Sequence, residues 1–138
     1  MKFFEVRQDI QAPPERVWAI LTDARRLVAG GMGLNRVDGT ITLGGRLKLW
    51  AESAPNRAFP VRVVEMKPAS RMVWRGGIPF GLFTGERQYN LTPTRDGTAF
   101  HMREEFTGPL APLIGKTIPD LTPYFEKFAR GLKATAER

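Results

Sequence analysis

The sequence predicts an α+β domain in which a curved antiparallel sheet of seven strands closes over one long C-terminal helix. From Leu34 to Phe106 apolar and polar residues alternate between turn signals, as half-buried strands require. Near the C-terminus Leu121, Phe125, Phe128 and Leu132 recur at i, i+4, i+7 and i+11, while Glu126, Lys127, Arg130, Lys133 and Glu137 occupy the other side. A chain of 138 residues supports one substantial core, so that apolar stripe has only the sheet to bury against. Space left between helix and sheet is the expected ligand cavity.

The elements follow in order. Phe4, Val6 and Ile10 alternate with Glu5, Arg7 and Asp9, which makes residues 2 to 10 a strand with one buried face. Pro13 and Pro14 then open a helix, because proline is tolerated in a first turn, and Val17, Ile20 and Leu21 keep helical spacing to an end near Asp23. The segment ARRLVAGG adds a second short helical turn that stops at Gly30 and Gly31. Six strands are read next: LNRVDG, GGRLKLWAES, FPVRVVEMKP, SRMVWRGG, Phe83 to Thr92, and GTAFHMREEF. Leu47, Leu49 and Ala51 share one face, as do Phe59, Val61 and Val63, with Lys48 and Arg62 opposite. Trp18, Trp50 and Trp74 sit at packing positions. Pro and Gly clusters fall between strands and no linker or repeat interrupts them, so residues 1–138 are one domain.

Composition narrows the function classes. Without cysteine there is neither a disulfide nor a thiolate, and with His101 as the only histidine no two-histidine metal centre can form, so no metal and no cofactor are expected. A serine triad would need His101 with Ser53 or Ser70, and neither serine lies in a strand-to-helix elbow. The glycines of AGGMG continue into neither a phosphate loop nor a dinucleotide fingerprint. The net charge of +7 comes from Lys and Arg spread singly over the elements, with no basic run and no aromatic-basic strand motif, which argues against nucleic acid as the partner. No apolar run is long enough to cross a bilayer, and Glu5, Arg7 and Asp9 fall where a signal peptide needs its apolar segment. A cytoplasmic location is expected.

The last hairpin carries the candidate chemistry. If Pro93 pairs with Thr98 around TRDG, then Leu91 faces Phe100, Tyr89 faces Met102 and Arg87 faces Glu104, all on the apolar face. The same parity sends His101, Arg103 and Glu105 to the other face and removes His101 from the site. Burial disfavours an ionised Glu104, whereas the Arg87 guanidinium favours it, so the pair is expected to stay charged. Arg87 and Glu104 are the candidates for holding the polar end of an apolar ligand or for moving a proton, with a purely structural ion pair as the alternative.

The segments IQAPPERVWAILTD, RMVWRGG, GLFTGERQYNLTP, DGTAFHMREEFTGPLAPL and FARGLKATAE resemble the SRPBCC or polyketide cyclase/dehydrase-like proteins, within the superfamily of START lipid-transfer domains. The resemblance spans essentially the whole chain, and its order of elements is that of a helix-grip fold. It implies binding of a small hydrophobic or aromatic molecule, lipid-like or polyketide-like, lined by Leu49, Phe59, Val61, Val63, Phe80, Tyr89, Met102, Leu121, Phe125 and Phe128, with Arg87 and Glu104 as polar anchor. Two alternatives stay open: a polyketide cyclase or dehydratase, and a partner-binding module like the co-chaperone and quinone-associated relatives. Such relatives often carry histidine where Arg87 and Met102 stand here, which counts against histidine-based acid-base chemistry. The family layout also implies three loops around the cavity mouth: SAPNRAFP, GGIPFGLFTG and TGPLAPLIGKTIPD. The middle loop, with Ile78, Phe80, Leu82 and Phe83, is too apolar for an ordinary connection and reads either as a lid or as a loop tucked against the final helix.

Overall fold

Alternation along the chain becomes seven strands in one antiparallel sheet. A computed structural model describes residues 2–138. Strand β1 (Lys2–Ile10) leads into α1 (Pro14–Leu21), which carries proline in its first turn, and α2 (Ala24–Ala29). The Asp23 carboxylate caps α2 by accepting the Arg25 and Arg26 N–H groups at 3.0 and 3.3 Å. Strands β2 (Leu34–Asp38), β3 (Arg46–Ala51), β4 (Ala54–Lys67), β5 (Arg71–Ile78), β6 (Phe83–Thr94) and β7 (Gly97–Thr107) follow as a meander. A connector containing α3 (Ala111–Ile114) leads to α4 (Thr122–Ala136). The sheet order is β1-β7-β6-β5-β4-β3-β2, so chain closure places β1 beside β7.

Helix α4 buries Phe125, Phe128, Ala129, Leu132 and Ala136 against the concave face. Phe128 stacks on Phe100 at 6.2 Å between ring centres, and Phe125 meets Phe4 at 6.1 Å, so aromatic rings set the spacing near the helix N-terminus. A different device sets it further along. A Cβ at Gly131 would lie 2.7 Å from the carbonyl oxygens of Gly30 and Gly31, so the helix crosses the α2–β2 turn with bare backbone against bare backbone. The Lys2 ammonium fastens the connector by donating to the Gly115 and Ile118 carbonyls at 3.0 and 3.1 Å.

The structure corrects three details of the sequence reading. SAPNRAFP is not a loop at the mouth: β4 begins at Ala54, so most of that segment is strand. Phe59, opposite Leu49, is 37% exposed rather than buried, with the Arg57 guanidinium 5.4 Å from its ring centre. GGIPFGLFTG is not tucked against α4; it forms the ends of β5 and β6 around a short 3₁₀ turn, Pro79–Gly81, and Phe80 is 98% exposed.

Gly131→Ala tests the close crossing. The added methyl meets backbone that cannot rotate away, so a loss of about 1 to 3 kcal/mol is expected in urea denaturation. A loss below about 0.5 kcal/mol, the surface range, would mean that the helix sits farther from the turn.

Candidate ligand site between the sheet and the final helix

Register places the site residues. Pro93 pairs with Thr98, Leu91 with Phe100, Tyr89 with Met102 and Arg87 with Glu104, as the hairpin turn predicts. Extending the last pair across neighbouring strands gives one inward row: Val63, Trp74, Arg87, Glu104 and Phe4, contributed by β4, β5, β6, β7 and β1. Two charges therefore sit in the middle of an apolar row. Arg87 Nη2 donates to Glu104 Oε1 at 3.1 Å, with the side chains 20% and 15% exposed. Phe125 from α4 covers the guanidinium, whose carbon lies 4.9 Å from the ring centre, so a cation–π contact joins helix to pair. Burial pulls the Arg87 pKa down, but Glu104 and Tyr89 beside it outweigh that and hold it above its ordinary value. Arg87 is a permanent cation here.

Three polar groups around this pair have no hydrogen-bond partner among the described residues: Trp74 Nε1, Arg87 Nε and the Tyr89 hydroxyl. Trp74 and Tyr89 are in edge contact at 5.0 Å, and Tyr89 also touches Phe128 at 6.0 Å. Burial pushes the Tyr89 phenol up to about 12, against a smaller opposing pull from Arg87. Buried donors of this kind are usually satisfied, and a cluster of three calls for an acceptor.

The cavity beside them is small, about 70 Å³. Arg87, Met102, Leu121, Phe125 and Phe128 line it, together with Met32, Gly33, Leu34, Ala51, Ser53 and Tyr124. Leu49, Val63 and Tyr89 are buried core around this space, Val61 is half-buried, and Phe59 and Phe80 lie outside it. The sequence reading missed Met32, whose apolar side chain within a glycine turn was the available signal, and Leu34, the first residue of β2. It also missed Tyr124, which falls beside the strict helical stripe. His101 is on the outer face, its Nε2 2.9 Å from Glu5 Oε2.

The family model described as polyketide cyclase / dehydrase and lipid transport matches residues 1–137. The chain belongs to that family. Among curated proteins none matches it. Solved structures share the helix-grip fold at low identity. Protein MLL2253 from Mesorhizobium loti has 19% identity and a TM-score of 0.75, over 97% of this chain and 96% of that one. The Aha1 dimer from Colwellia psychrerythraea has 17% identity and a TM-score of 0.75, over 99% and 97%. The di-domain ARO/CYC StfQ from the steffimycin biosynthetic pathway has 16% identity and a TM-score of 0.71, with 98% of this chain matched to 50% of that protein. At these identities the likeness concerns the fold, and this chain's polyketide cyclase / dehydrase family site has to be argued from its own residues.

Two measurements probe the site. Arg87→Met alone strands a mostly buried carboxylate, and about 3 kcal/mol of stability should be lost, whereas Arg87→Met with Glu104→Gln leaves no unpaired charge and should cost less. A double-mutant cycle with coupling near zero would break the pair assignment. The raised Tyr89 phenol has a signed consequence at high pH. The folded state keeps the proton that the unfolded chain releases near pH 10, so this contribution is intact below 10 and is lost as pH rises to about 12. That loss amounts to about 2 to 3 kcal/mol. Tyr89→Phe should therefore lose stability less steeply than the parent protein over that window, and parallel urea-unfolding curves would show that the hydroxyl is not secluded.

Proposed function

We propose that this domain binds a small hydrophobic or aromatic molecule carrying one anionic or strongly hydrogen-bonding oxygen, between the sheet and α4. One observation carries the reading: Trp74 Nε1, Arg87 Nε and the Tyr89 hydroxyl are buried without protein partners around a fixed cation. An enolate, phenolate or carboxylate oxygen would engage the donors within its reach, while Met102, Phe125 and Phe128 surround the apolar part. Glu104 orients Arg87 and sets the limit on how much negative charge the site attracts.

A volume of about 70 Å³ has room for only a few water-sized groups, so an aromatic ligand enters when side chains at the mouth move. Met32, Leu121 and Tyr124 are suited to this, being unbranched at Cβ and attached to a turn and a helix N-terminus. Family membership supports the ligand class through cyclases and lipid carriers alike. The cyclase alternative uses the same atoms, with Arg87 stabilising an enolate and Glu104 moving a proton, and it additionally requires turnover.

Native mass spectrometry of the purified protein tests the proposal. A co-purifying small molecule should appear on the parent protein and be lost from the Arg87→Met, Glu104→Gln double variant, provided circular dichroism shows that variant folded. A ligand retained equally by both would remove Arg87 and Glu104 from the role of anchor.

A further inference from the structure

Two outer features meet on β5. At its end, Phe80 is 98% exposed and has a φ of 67°, followed by Gly81 at 68°. A bulky residue rarely adopts positive φ, and here the ring gains no burial in compensation. Ile78 and Leu82 flank it and are also exposed. The β7–α3 connector is fastened beside the turn, because the Leu110 N–H donates to the Leu82 carbonyl at 2.9 Å, and it adds Leu113, 67% exposed, to this end of the sheet.

At the root of the same turn an open trough of about 690 Å³ has Arg46, Lys48, Arg62 and Arg75 along its walls, with Leu47, Pro60, Val61 and the bare backbone of Gly76 and Gly77 between them. Arg46 is directly opposite Arg62, and Arg62 opposite Arg75, so three guanidinium groups repel one another across adjacent strands. Arg75 has a carboxylate, Glu86, at 2.8 Å. Asp38 on the rim is engaged by Arg36 at 2.8 Å. Among the described residues Arg46, Lys48 and Arg62 form no ion pair.

We infer that this end of the molecule docks on an anionic phospholipid surface, with Phe80 and its apolar neighbours entering the interface while the trough cations meet the headgroup phosphates. The two features are matched in depth. Arg75 is three strand residues from Ile78, about 10 Å along β5, which is comparable with the penetration of an interfacial apolar face and with the Debye length. A ring that projects beyond its apolar neighbours needs a matching hole in a protein partner, whereas a fluid headgroup layer accepts it anywhere. A row of mutually repelling cations is likewise relieved by several mobile anions at once. No helix among the described residues is long and apolar enough to cross a membrane, so the contact is peripheral. The inference does not depend on what occupies the cavity.

Vesicle co-sedimentation of the whole protein decides it. Binding is expected to vesicles of equal parts phosphatidylcholine and phosphatidylglycerol and to fall steeply with added salt, with little binding to phosphatidylcholine alone. Phe80→Gly removes the ring while suiting the positive φ, so the turn is preserved, and it should weaken binding about tenfold. Lys48→Gln with Arg62→Gln should weaken binding and flatten the salt dependence. Three results would overturn the inference: no sedimentation with the mixed vesicles, sedimentation unchanged in Phe80→Gly, or a Phe80-dependent homodimer in the absence of lipid.

Discussion

The distance between α4 and the concave face of the sheet governs the rest of this molecule. Two unlike contacts set it. Gly131 lets the helix lie on the Gly30–Gly31 turn, so its later turns are clamped at backbone contact. Toward the helix N-terminus, the rings of Phe125 and Phe128 rest on Phe4, Tyr89 and Phe100 and keep the backbone a side chain's width away. The rings thus leave a wedge of space between the sheet and the first turns of the helix. The wedge opens at the end where Leu121 and Tyr124 begin α4, and that is where the cavity lies. Interiors are packed closely enough that a methyl at the clamp is felt at the wedge, so a glycine remote from the polar site contributes to its size.

Within the wedge the polar side chains follow from pairing. The row Val63, Trp74, Arg87, Glu104 and Phe4 crosses five strands, and its charged pair has apolar neighbours on both sides. Such a pair gains little net stability over apolar packing of equal volume, because two charges leave water to form it. Its contribution is to specificity of arrangement. Arg87 is held between the Glu104 carboxylate and the Phe125 ring, which fixes the guanidinium in front of the cavity and ties the helix to one position along the sheet.

Much of this was legible in the sequence, and the reason is periodicity. TRDG fixed the β6–β7 register, since a turn of known length between alternating segments admits one pairing, and Arg87 and Glu104 then had to meet. The stripe through Phe125, Phe128 and Leu132 likewise required a buried face. What failed was local chemistry overruled by neighbours. SAPNRAFP carries Pro55, Asn56 and Pro60, ordinary turn signals, yet it is strand. Pairing of β4 with β5 stops at Val61 and Gly76, so Pro60 sits where β4 has outrun that neighbour and an absent N–H costs little on that side. Phe59 is exposed in that same projecting half of β4, although its parity is that of the core. Met32 and Tyr124 escaped because a turn and a helix's first turn have no period long enough to assign a face, and Leu34 because the register shifts between it and Arg36, which breaks alternation at the start of β2. The outward Phe80 was equally unreadable: its placement depends on two successive left-handed residues, only one of which is glycine.

Period two also explains how one sheet carries two opposite surfaces without a boundary between them in the chain. Trp74 faces the core and Arg75 the convex trough; Arg87 faces inward and Glu86 outward; Leu47 is buried while Arg46 and Lys48 are exposed beside it. A slip of one residue in β5 or β6 would exchange these pairs, sending Arg75 or Glu86 into the apolar wedge and Trp74 to solvent. The charge excess of this chain is therefore itself a register constraint. A slipped sheet of these strands buries charges away from their partners, and that cost adds to the lost hydrophobic burial in holding the native pairing.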